Sequence, residues 1–150
     1  MQDLTEKNNY KIQRISELLS IENGEQYFYS IAESFKSPNK DVDNFLKTKA
    51  VQATKLNTAT TYLVYTEITP IEIDLVGYFS LAMKMLSIKK TSLSNSKEKI
   101  ISRFGYYDKD SDSYKVSAIL VAQLGRNFGS SSSSIPSPVS STAITRRSPI

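Results

Sequence analysis

The run YKVSAILVAQLGRNF, from Tyr114 to Phe128, decides how the rest of the chain is read. Val116, Ala118, Leu120, Ala122 and Leu124 share one strand parity, while Ile119 and Val121 occupy the other. Apolar residues on both parities predict an interior strand, covered on both faces. Its end is marked by Gly125 and Arg126, and after Phe128 the character of the sequence changes abruptly. Of the 22 residues from Gly129 to Ile150, nine are Ser and three are Pro, with no aromatic residue and no helical or strand period. Such a segment has too little apolar surface to offset its ordering entropy, so residues 129–150 are expected to form a disordered tail.

Upstream, Thr60 to Glu67 and Leu75 to Lys84 read as two further strands, joined by a connector containing Pro70 that suits a hairpin-like return. Tyr62, Leu63, Val64 and Tyr65 leave neither face polar, as do Val76, Tyr78, Phe79 and Leu81, so both strands are expected to be interior. Gly77 marks a bulge or a close backbone approach. Ser87 to Asp112 reads as a polar excursion with one helical turn near Lys97 to Arg103. Before the strands, Val42, Phe45, Leu46, Ala50, Ala53 and Leu56 recur at intervals of three and four, which predicts a long amphipathic helix ending near Asn57. Its start is placed at Ser37 and Pro38, with Asn39 as a competing cap. Glu25 to Phe35 sets Phe28, Ile31, Ala32 and Phe35 on one helical face, and Asn9 to Ser20 reads as a short strand entering one helical turn.

The 150 residues, 39% of them hydrophobic, suit one compact domain, taken as residues 1–128. The formal net charge of +4 falls to about +2 without Arg146 and Arg147, too mild to argue for direct nucleic-acid binding. There is neither Cys nor His, which excludes structural zinc sites, disulfides, thiol nucleophiles and Ser-His or Cys-His couples, and no metal site is expected. The opening residues show no secretory pattern and no run is long enough to span a membrane, so a cytoplasmic protein is expected.

The segment from about residue 28 to residue 128 resembles a bacterial branch of the GNAT superfamily, the general N-acetyltransferases. Four strings carry the resemblance in order: DVDNFLKTKA from Asp41, TYLVY from Thr61, VGYFSLAMK from Val76 and ILVAQLGRNF from Ile119. The resemblance implies an α+β, acyl-CoA N-acyltransferase-like fold with a mixed, mostly antiparallel sheet flanked by helices. It implies acetyl-CoA as cofactor, with the backbone of Leu124, Gly125 and Arg126 on the fourth strand holding the pantetheine arm like an added strand. A small residue at Gly125 would let the cofactor approach closely, and a backbone N–H there would face the acetyl oxygen. The family's pyrophosphate loop, Arg/Gln-x-x-Gly-x-Gly/Ala, is not matched after Phe128, where Gly129 is followed by five serines. The chain therefore reads as truncated at the end of the fourth strand, with weak or no activity. The tail would then come from a shifted or prematurely ended reading frame or a recombined gene end, with a flexible arm carrying a basic tip and a serine-built anion nest as the alternatives, and catalytic residues stay unknown.

Other readings accompany these residues. Glu67, Glu72 and Asp74 cluster at the strand connector, as turn solvation or as a general base acting through water. Lys84, Lys89, Lys90, Lys97 and Lys99 form a solvated face or a receiver of an anionic substrate. Tyr62, Tyr65, Tyr78, Tyr106 and Tyr107 are read as core aromatics rather than a base-stacking surface. The acceptor is an amine of unknown type, nucleic acid entering only as a tRNA-type substrate. The alternative function is a non-catalytic interaction module whose exposed sheet edge pairs with a partner or as a homodimer, since an unpaired apolar strand at Val116 to Leu124 would be a sticky edge.

Overall fold

The computed structural model describes residues 9–129 and 135–136. The architecture is α+β, with elements in the order β1 (Lys11–Arg14), α1 (Ile15–Leu19), α2 (Gly24–Ser34), α3 (Lys40–Asn44), a π-helical turn (Phe45–Lys49), α4 (Ala50–Lys55), β2 (Thr60–Thr69), β3 (Glu72–Lys89), α5 (Asn95–Ile101), β4 (Gly105–Asp108), β5 (Ser113–Arg126) and β6 (Ile135–Pro136). The strand order is β1-β2-β3-β5-β4, with β6 also on β3. The pairs β1–β2, β3–β6 and β4–β5 are antiparallel. The chain divides into two compact units, Met1–Ser80 with Gln123–Ile150, and Leu81–Ala122.

The first unit holds the apolar core. Phe28, Ile31, Ala32 and Phe35 are buried, as the spacing in α2 predicts, and they meet Ile15 and Leu18 of α1, Leu46 and Ala50 of the long helix, and Leu63 and Leu75 of the strands. Helix α3 starts at Asn39, not at Ser37 and Pro38. The Asn39 side chain accepts hydrogen bonds from the N–H groups of Asp41 and Val42, while the Ser37 hydroxyl accepts only from the Asn39 N–H. Asparagine wins because its carbonyl oxygen reaches the first free donors of the helix.

The long helix departs from its expected period at the π turn, where the Ala50 N–H reaches the Phe45 carbonyl. One residue more per turn rotates the apolar face. Val51 is consequently buried and Leu56 is 62% exposed, although the regular spacing placed Leu56 in the core.

The two middle strands are longer than the sequence indicates, and neither is covered evenly on both faces. In β2, Thr61 and Leu63 are buried while Tyr62 and Val64 are half-buried. The Thr61 and Ser80 hydroxyls are hydrogen-bonded to each other at 3.0 Å in the core, which satisfies two polar groups that would otherwise be costly there. In β3, Ile73 and Leu75 are buried, then Tyr78 and Ser80. The buried parity changes across Gly77, as a bulge requires.

The second unit has little buried apolar surface among its residues. The excursion from Ser87 to Asp112 is more ordered than its polarity suggests, because β3 runs on to Lys89 and Tyr106 and Tyr107 form β4 against β5. Only Ser113 and Tyr114 are buried in β5 before Ala122. The expectation of an interior β5 is overturned: Ile119 is 69% and Val121 58% exposed. Strand β4 pairs with β5 only as far as Val116, so from Ser117 onward β5 has a strand neighbour on one edge only among the described residues. The Ser- and Pro-rich tail lies outside the described residues, save Gly129 and β6.

Candidate functional site

The three residues singled out for an acyl carrier, Leu124, Gly125 and Arg126, close strand β5 in the first unit. Their side chains divide by parity. Leu124 is 73% exposed and Arg126 is exposed, whereas Gly125 is buried. A Cβ built on Gly125 would come within 2.5 Å of Val42 Cγ1, 2.9 Å of Phe35 Cζ and 3.0 Å of Tyr78 Cε1. The room left by the missing side chain is thus filled by the protein's own core, and packing accounts for this glycine without a ligand. A ligand at this segment would meet the backbone edge and the Leu124 and Arg126 side chains.

What backs the segment is an aromatic layer. Tyr78 sits edge-on to Phe35 at 5.2 Å and parallel to Phe45 at 6.2 Å between ring centroids. Its hydroxyl donates to the Val42 carbonyl at 2.6 Å. Burial pushes the Tyr78 phenol up from its ordinary value, with the nearby Asp43 carboxylate adding to the shift. Gly77 lies so close to β5 that a Cβ there would stand 2.4 Å from the Gly125 carbonyl oxygen. The close backbone approach that Gly77 was expected to mark is therefore made against Gly125 of β5.

Asn127, which sequence reasoning passed over, locks the end of β5. Its N–H donates to the Val76 carbonyl at 2.8 Å and its Nδ2 to the Leu75 carbonyl at 2.8 Å. Its Oδ1 accepts from the N–H groups of Lys36 at 3.0 Å and Gly129 at 2.9 Å. The bond to Gly129, two residues on, is the self-turn that asparagine favours, so Asn-x-Gly directly after a strand was the available signal. Phe128 N–H adds a bond to the Lys36 carbonyl at 2.8 Å. Beyond this clamp, the Arg126 guanidinium lies over the Phe128 ring at 5.6 Å and makes no ion pair among the described residues. An exposed, stacked guanidinium of this kind is suited to an anionic group.

The other candidates scatter. Glu67 is committed to a surface ion pair with Lys11, and Glu72 and Asp74 are half-buried. Tyr62 stacks on Phe79 at 4.9 Å under the Arg14 guanidinium, and Tyr65 packs against the core. Tyr106 and Tyr107 contradict the core reading, being 62% and 38% exposed on β4. Among the basic residues, Lys90 pairs with Glu98 at 3.6 Å and lies over Tyr107, while Lys89 donates to the Ser111 carbonyl. A separate polar pocket of about 130 Å³ beside the end of α4 is lined by Arg14, Thr54, Asn57 and Thr60, among others. No group of three or more His, Cys, Asp or Glu able to hold a metal occurs among the described residues, and no helix among them is long and apolar enough to cross a membrane.

No known protein-family profile matches the chain, and no curated protein sequence matches it. A solved structure of an AtaT toxin mutant shows a weak likeness, with a TM-score of 0.46 and 13% sequence identity over 81% of this chain. The match covers 55% of that structure's chain, so this chain spans about half its length.

Proposed function

We propose that the chain is a GNAT-type, acetyl-CoA-binding protein of the N-acetyltransferase class, acting on a primary amine in the cytoplasm. The observation that carries this reading is the end of β5. Gln123–Arg126 has no strand neighbour on its outer edge among the described residues, is backed at Gly125 by Phe35, Val42 and Tyr78, and ends in Arg126, which makes no ion pair among the described residues. Amide-bearing arms bind such edges as an added strand, and a neighbouring cation favours their phosphates.

Acetyl-CoA would supply the thioester carbon that the amine nitrogen attacks, the C–S bond breaking as the new C–N bond forms. The chain's contribution is to orient the arm along Leu124–Arg126 and to offer a backbone N–H to the acyl oxygen as negative charge develops on it. The proton lost by the amine would pass through water to the departing coenzyme A thiolate, which leaves as the free thiol. The sequence after Phe128 lacks the glycine-rich phosphate run, so weak binding and weak or absent turnover are expected.

Calorimetric titration of the full chain with acetyl-CoA tests the reading. Saturable binding is expected, with Arg126→Ala about tenfold weaker, the equivalent of one charge-assisted contact. Leu124→Pro, which removes one edge N–H, is expected to weaken binding further. No saturable heat up to roughly 1 mM ligand, or full affinity in both variants, rejects it.

A further inference from the structure

The polar pocket at the end of α4 takes no part in the acyl-carrier reading, and none of Leu124–Arg126 lines it. Three parts of the first unit build it: Arg14 and Ser16 where β1 runs into α1, Thr54 and Asn57 where α4 ends, and Thr60 and Thr61 where β2 begins. Its volume of about 130 Å³ exceeds the roughly 30 Å³ share of a single water, and a group of phosphate size has room in it.

The one ionisable side chain of the lining is Arg14, and no Asp or Glu lines the pocket. Arg14 lies directly across from Tyr62 in the β1–β2 pair. Its guanidinium stands over the Tyr62 ring at 5.4 Å and donates to the Tyr62 hydroxyl at 3.2 Å. One of its five donors is thereby used, and the stacking holds the rest in place. Arg14 makes no ion pair among the described residues, so no carboxylate there answers its charge.

Neutral donors complete the walls. The Thr54 hydroxyl is committed to the Ala50 carbonyl at 2.8 Å, and the Thr61 hydroxyl is bonded to that of Ser80. The side chains of Ser16, Asn57 and Thr60 have no hydrogen-bond partner among the described residues. Asn57 sits at a left-handed φ of 54°, where its N–H returns to the Thr54 carbonyl and that of Thr58 to the Ala53 carbonyl. This closure of α4 fixes the backbone that carries the Asn57 amide. Uncommitted donors therefore come from α1, from the end of α4 and from β2, with a guanidinium beside them. A planar carboxylate can be satisfied by a guanidinium fork alone, which would leave those donors unused, whereas a tetrahedral oxyanion presents oxygens in several directions.

We propose that this pocket binds a phosphate group, as the free ion or as a monoester, with Arg14 pairing its charge and Ser16, Asn57 and Thr60 donating to its remaining oxygens. The site shares no residue with the acyl-carrier segment and does not depend on it.

Residue-resolved NMR of the full chain, titrated with sodium phosphate and separately with methyl phosphate in about 0.15 M salt, tests the proposal and tells the free ion from the ester. Saturable shifts of the Ser16 and Thr60 amides are expected, with a Kd of about 1 mM for at least one of the two ligands. Arg14→Ala should weaken binding about tenfold. Arg14→Lys, which keeps the charge and loses the fork, should weaken it less. Thr60→Val, which keeps the shape and removes the hydroxyl, should weaken it about threefold. These two variants keep the test decisive if Arg14→Ala fails to fold. The proposal is overturned by the absence of saturation up to roughly 20 mM of either ligand, by acetate binding as tightly as phosphate, or by unchanged affinity in all the variants. Loss of binding in Arg126→Ala with Arg14→Ala unaffected would move the phosphate to β5 and overturn it as well.

Discussion

The two compact units use similar strand sequences to opposite ends. In Met1–Ser80 with Gln123–Ile150, strand residues such as Leu63, Leu75 and Tyr78 are buried in one cluster with α1, α2 and the long helix. In Leu81–Ala122, residues as apolar as Met83, Ile119 and Val121 are exposed. That unit also holds eight Lys and Arg against four Asp and Glu, the whole of the chain's net +4. Its internal ties are polar. Tyr114 donates to Glu98 at 2.7 Å, Tyr107 donates to Asp112, and Ser111 and Lys115 both engage Asp108. The lesson is that an apolar strand becomes core only where a helix face is supplied to cover it, and the first unit's helices supply it to that unit's own strands.

The contrast predicts unequal tolerance to substitution. Phe28 is fully buried, so Phe28→Ala is expected to cost about 3–5 kcal/mol, by transfer and cavity together. Against a domain stability of about 5–15 kcal/mol, that loss will move the urea midpoint far. Met83→Ala, at an exposed site, should stay within about 0.5 kcal/mol. Comparable losses at both positions would show that Met83 is covered in solution and that the contrast is wrong.

Gly77→Ala ranks next. Its new Cβ meets a backbone carbonyl, that of Gly125, which cannot swing aside as a side chain can. A cost of about 1–3 kcal/mol is expected from chemical denaturation, with the end of β5 displaced. Gly125→Ala meets only side-chain atoms and should cost less. The reverse order would place the rigid contact on the other strand.

Alkali separates the units by cause. Burial holds the phenols of Tyr27 and Tyr78 above their ordinary value of 10.0, so the folded state retains protons that the unfolded chain releases. Their contribution is complete below about pH 10 and is lost as pH rises through the raised folded values. Tyr78→Phe removes one such group, so stability should fall less steeply above pH 10. At neutral pH the same variant should lose about 1 kcal/mol, because the Val42 carbonyl loses its donor. An unchanged alkaline slope would mean that the Tyr78 ring reaches water in the folded state.

Much of the first unit was legible because its signals are local and periodic. Phe28, Ile31, Ala32 and Phe35 announce one helix face, and Gly77 marks the bulge. The long helix was legible in extent but not in phase, since nothing in Phe45–Lys49 advertises a π turn that buries Val51. β5 was misread for a different reason. Alternation on both parities says that a strand is apolar on two faces, not that anything is present to cover them. Tyr106 and Tyr107 were misread with it, being aromatic in composition yet placed on an edge. Of the candidate site, Leu124–Arg126 could be named through resemblance, whereas the Asn127 clamp depends on the carbonyl of Leu75 and the N–H of Lys36, which only the folded chain brings together.

The smallest expected effect probes the second unit's polar ties. Tyr114 and Tyr107 are also raised above 10.0, but first by hydrogen bonds to carboxylates, from Tyr114 to Glu98 and from Tyr107 to Asp112, with desolvation second. Glu98→Gln keeps an acceptor and removes the charge, so the Tyr114 phenol should titrate nearer its ordinary value, followed by NMR of its ring protons against pH. Tyr78, whose shift comes chiefly from burial, should not move, and the melting temperature should change little, as partly exposed ion pairs contribute weakly. If Tyr114 titrates unchanged without the Glu98 charge, its environment is dry rather than acidic, and the second unit has a small core of its own around Ser113 and Tyr114.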